Sequence, residues 1–100
     1  MLKVTITKNA IEEFAESTGA EAVWTAWRSM MLQLGREVPH DKMYWSTLPY
    51  EDKELDKYVA TRVVVRFLTW IGGKYVVADG DVEFTLSSIF NRLKEGVEGD

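Results

Sequence analysis

A chain of 100 residues, 46% apolar and 12% aromatic, has the material for one hydrophobic core and one domain spanning 1–100. It has no cysteine, which removes disulfides, thiol nucleophiles and most structural zinc sites. A net charge of −4 argues against a basic footprint for double-stranded nucleic acid.

The first residues, Met1-Leu2-Lys3-Val4-Thr5-Ile6, are too polar and too few for a secretory signal. No apolar run approaches the roughly 20 residues of a membrane span, so a cytoplasmic chain with no membrane partner is the expectation. Leu2, Val4 and Ile6 alternate with polar residues and predict a short strand. Asn9 and Glu12 have capping-box spacing, opening a helix with Ile11, Phe14 and Ala15 inward. Thr18-Gly19-Ala20-Glu21 repeats the start signal. The second helix then carries Ala20, Val23, Trp24, Trp27, Met31 and Leu34 at helical spacing and stops at Gly35.

Arg36 to Trp45 reads as a polar connection, and Pro49 opens a third helix with Glu51 and Asp52 in its first turn. Its second half, Thr61 to Trp70, contains Val63-Val64-Val65 and competes as a strand. The spacing of Leu55, Val59, Val63, Phe67 and Trp70 along one face favours helix as far as Ile71. Lys74–Ala78 and Val82–Leu86 flank Asp79-Gly80, a hairpin signal. Ser87 is placed to cap a last helix with Ile89, Phe90 and Leu93 inward, and the tail from Glu95 reads as frayed. The expected fold class is α+β and predominantly helical. Three to four helices accompany a small antiparallel sheet made from the N-terminal strand and the C-terminal hairpin.

Two pieces of the chain carry a resemblance. Glu21-Ala22-Val23-Trp24-Thr25-Ala26-Trp27 is followed by Gly35, and Trp45, Leu48, Pro49, Lys53, Asp56 and Lys57 form an ordered pattern. Together, over about 21–68, they resemble the ryanodine-receptor (RyR) repeat domain. The loop between the two pieces is shorter than in that family, and the hairpin and last helix over 72–95 have no counterpart there. The resemblance implies a binding or interaction module of bacterial or phage type, not an enzyme, in the setting of nucleotide signalling or defence.

The residues themselves limit the chemistry. His40 is the only histidine, so a histidine-based triad or a two-histidine metal site is not available within one chain. Glu51, Asp52, Glu54 and Asp56 are interleaved with Lys53 and Lys57. They read as dipole complementation with surface pairs Glu54–Lys57 and Lys53–Asp56, and Asp56 is expected to fix a backbone or basic contact. Neither Gly72-Gly73 nor Asp79-Gly80 matches a phosphate loop. Arg62 and Arg66, four residues apart on one helix face, suit an anion or an internal acidic partner.

The expectation is therefore a non-catalytic module without cofactor, catalytic residue or metal. It would recognise a small anionic, nucleotide-derived ligand as a sensor or sponge, through Arg62, Arg66, Trp27, Arg28, Trp45 and Tyr50. The alternative is a homo-oligomeric or structural accessory protein contacting a protein partner.

Overall fold

The computed structural model describes residues 2–96, the last two by backbone alone. The elements run β1 (Lys3–Ile6), α1 (Lys8–Phe14), a π-helical turn (Ala15–Gly19), α2 (Ala20–Gln33) and short 3-10 turns at His40–Lys42 and Trp45–Thr47. They continue with α3 (Tyr50–Trp70), β2 (Lys74–Val76), β3 (Asp81–Thr85) and α4 (Leu86–Gly96). The sheet is antiparallel in the order β1-β3-β2, with Val4 opposite Phe84, Ile6 opposite Val82 and Tyr75 opposite Val82. The fold is thus predominantly helical α+β, with Thr61–Trp70 helical throughout. From Val97 onward the expected tail lies outside the described residues.

Several local signals resolve differently. Thr7, not Asn9, caps α1: its Oγ1 accepts the Ala10 N–H at 3.1 Å. Thr85, not Ser87, caps α4, its Oγ1 accepting the Ser88 N–H at 3.3 Å. In both cases the threonine immediately precedes the first helical residue, so its hydroxyl lies nearest the orphan amides. Between α1 and α2 there is no break. The backbone stays helical through the π turn, and the second start signal is absorbed as a bulge. Gly35, at φ 66°, ends α2 in a Schellman arrangement, with its N–H on the Leu32 carbonyl and that of Arg36 on the Met31 carbonyl. The hairpin turn is wider than two residues: Gly80 N–H reaches the Val76 carbonyl at 2.8 Å, and pairing resumes at Asp81.

Contacts divide the chain into two compact units, Met1–Glu12 with Arg62–Asp100, and Glu13–Thr61. The first has a closed apolar core of Ile11, Leu68, Val82 and Phe84, with Ile6, Val64, Val65, Ile71 and Ile89 packed against it. Strand β3 alternates buried Val82 and Phe84 with half-exposed neighbours, as one covered sheet face requires. Gly73 lets this core close, since a Cβ there would strike Val82, Phe84 and the Leu68 carbonyl. In the second unit Ala15, Ala20, Val38, Leu48 and Ala60 are buried. Gly19 brings two helices together there: a Cβ on it would lie 2.8 Å from that of Ala60.

The expected inward faces need correction. Val64, Val65 and Leu68 of α3, with Ile71 just past its end, serve the core, whereas Leu55, Val59, Val63, Phe67 and Trp70 are exposed. On the other elements Leu2, Phe14, Leu34, Phe90 and Leu93 are also exposed. The second half of α3 is apolar on both sides, and a small sheet covers only one of them.

Candidate functional site: an indole-lined hollow

The unit Glu13–Thr61 contains a half-open hollow of about 200 Å³ lined by Trp24, Trp27, Lys42, Leu48, Asp52, Leu55 and Asp56. Each wall has a local cause. Trp24 and Trp27 lie one helical turn apart on α2 and therefore share a face. Trp24 is held at its polar end, where the indole N–H donates to the Lys42 carbonyl at 3.0 Å. Leu48 is buried in an extended conformation (φ −63°, ψ 131°), as the residue before a proline must be, and forms the floor. Asp52 and Asp56, four apart on α3, project from one helix face into the rim.

The charges are unevenly satisfied. Lys42 Nζ lies 3.8 Å from Asp52 Oδ1. Neither expected surface pair forms: Lys53, expected at Asp56, lies over the Trp45 ring at 5.1 Å, and Lys57, expected at Glu54, pairs with Glu16 at 3.8 Å. Removal from water, and secondarily the neighbouring Asp52 carboxylate, raise the Asp56 pKa above its ordinary value.

The residues expected to form a ligand site are not gathered into one cavity. Trp27 lines the hollow and is 38% exposed, so its ring is reachable. Arg28 turns away, with its guanidinium 5.9 Å from the Trp24 ring centroid, one nitrogen 3.8 Å from Met43 Sδ, and Nε buried without a hydrogen bond. Trp45 packs against Trp24 at 6.0 Å between centroids. It also shares a smaller depression with Tyr50, Lys53, Glu54, Lys57 and Glu16. Arg66 borders a shallow depression over Val63, Phe67, Thr69 and Trp70, all residues of α3 itself. Arg62 is at the surface.

Sequence reasoning missed Asp52, Asp56 and Lys42 as co-tenants of one hollow. The available signal was the four-residue spacing of Asp52 and Asp56 beside a leucine-proline helix start. Among the described residues no group of three or more His, Cys, Asp or Glu is arranged to hold a metal ion. No helix among them is long and apolar enough to cross a membrane. No protein-family model, curated protein or solved structure matches the chain.

Proposed function

We propose that the chain is a non-catalytic recognition module, and that its ligand site is the Trp24–Trp27 hollow. The observation that carries this reading is the hollow itself: a concave, mainly apolar site with a few convergent polar groups. Its lining includes no serine, cysteine or histidine to act as nucleophile or base, which favours binding over covalent chemistry. The RyR-like pattern supports the same assignment. Trp45, Leu48, Pro49, Lys53, Asp56 and Lys57 all fall in the unit that holds the hollow, and two of them, Leu48 and Asp56, line it.

A volume of 200 Å³ lies below the roughly 300–1,000 Å³ of pockets that enclose drug-sized ligands. A whole nucleotide would stand largely outside, with only its base against Trp27. The test is a thermal-shift panel of mono-, di- and cyclic nucleotides and small amines on the intact chain. A ligand at 100 times its dissociation constant stabilises by about 2.7 kcal/mol. At about 4–8 °C per kcal/mol for a domain of this size, that shift is unmistakable. Trp27→Ala should remove it. A panel without any shift would sink the reading.

The second reading, self-association, is favoured by the exposed stripe Leu55, Val59, Val63, Phe67 and Trp70. Sedimentation equilibrium decides this reading: a monomer at high concentration removes it, and a dimer that Phe67→Ser dissolves supports it.

A further inference from the structure

We infer that the hollow takes a cation, an alkylated ammonium headgroup such as choline or a methylated lysine side chain presents. The inference rests on the reading of the hollow as a ligand site and goes further by giving the ligand its charge.

Three features converge on a cation. First, the walls are indoles, whose ring faces are negative and attract ammonium groups, most strongly where water is excluded. Second, the unit already satisfies such faces with its own cations: Arg28 lies 5.9 Å from Trp24 and Lys53 5.1 Å from Trp45. Among the described residues no cation is placed over Trp27, the most exposed indole of the hollow. Third, two carboxylates face one ammonium. Lys42 answers Asp52 at 3.8 Å, and Asp56 is left without a partner among the described residues. An incoming charge would therefore sit in the hollow that the Trp27 ring and the Asp56 carboxylate both line.

The alternatives fit less well. An anion entering beside Asp52 and Asp56 meets like charge in a site that is partly dry, where repulsion is screened least. A neutral apolar group would fill the space but leave Asp56 desolvated and uncompensated. A bare ammonium is strongly hydrated and surrenders that water reluctantly. An alkylated one carries its charge within an apolar shell that suits Trp24, Trp27, Leu48 and Leu55. The volume suits such a headgroup without the molecule that carries it. The raised pKa of Asp56 is consistent: its charge is costly in the empty hollow, and a bound cation would relieve that cost.

The experiment is a calorimetric titration of the intact chain with choline, a trimethyllysine amide, AMP and 3,3-dimethylbutan-1-ol, the uncharged isostere of choline. The inference expects the two cationic probes to bind about tenfold or more tightly than the neutral isostere. Asp56→Asn and Trp27→Ala should each weaken them several-fold, and Trp27→Phe should recover part of the loss. Affinity should also fall as pH is lowered through the Asp56 pKa, with Asp52, Lys42 and Arg28 the other charged groups around that site. Preference between choline and the trimethyllysine amide tells a free small molecule from a modified protein tail, and either result supports the inference. Equal binding of the neutral isostere, or binding of AMP alone, overturns the cation while leaving the hollow a ligand site. No binding by any probe, with Trp27→Ala still folded by circular dichroism, overturns both.

Discussion

The two compact units use aromatic and aliphatic residues in opposite ways. In the unit built from Met1–Glu12 and Arg62–Asp100, Ile11, Leu68, Val82 and Phe84 meet with no polar atom among their side chains, and the interior closes. In Glu13–Thr61 two of the three tryptophans have a polar or charged neighbour: the Lys42 carbonyl and Arg28 at Trp24, and Lys53 at Trp45. A rigid indole tied at one end cannot collapse onto its neighbours as leucines do, so space remains beside it. The hollow of Glu13–Thr61 thus follows from the choice of indoles for its walls.

The largest test of that contrast is Phe84→Ala. Its side chain is 3% exposed and belongs to the closed core, so truncation should cost about 3–5 kcal/mol. Against a total stability of about 5–15 kcal/mol this is enough to leave the chain marginal, as urea denaturation would show. A loss below about 1 kcal/mol would mean that the unit is not closed. Gly19→Ala probes the other unit with a smaller effect. Overpacking against Ala60 and the Phe14 ring costs about 1–3 kcal/mol, and roughly 1 kcal/mol returns because alanine is the better helix former. A net fall in Tm is expected; a rise would mean that the helices separate easily at that point.

The sequence reading served the two units unequally. Turn and stop signals were legible because they act locally: Gly35 and Pro49 hold their places, and the hairpin forms with its first strand two residues shorter than expected. Strand β3 was legible because period-two alternation survives wherever one sheet face is covered. The burial of α3 was not. Its apolar residues occupy both sides, and periodicity cannot say which side a three-stranded sheet will cover. Of the candidate site, Trp27 was anticipated. Asp52 looked like an ordinary first-turn acid and Asp56 like the surface partner of Lys53, because their surroundings are set by Lys42 and by two tryptophans on another helix. Such meetings leave no trace in local spacing.

The exposed side of α3 makes a near-neutral prediction. Val63 is 60% exposed, so Val63→Ser should change stability by no more than about 0.5 kcal/mol, measured by thermal denaturation. A loss comparable to that of Phe84→Ala would show that this side is covered in solution. The dependence of Tm on protein concentration would then identify a second copy as the cover.

The smallest and most diagnostic effect belongs to Asp56. Its folded pKa is raised by removal from water and by Asp52, so the folded state holds the proton more tightly than the unfolded chain. The sign follows from that difference. Stability associated with the neutral carboxyl is complete below the ordinary value of 3.8 and is lost as pH rises through the higher folded value. At neutral pH the charged Asp56 therefore burdens the fold, and Asp56→Asn should raise Tm slightly. That advantage should vanish as the pH falls below the ordinary carboxylate range. Half-exposed as the group is, solvent screening keeps the gain small. A residue whose removal improves stability while weakening binding is held for the site and not for the fold. Should Asp56→Asn lower Tm at neutral pH, the carboxylate has a stabilising partner, and the hollow is a packing feature of the indole unit.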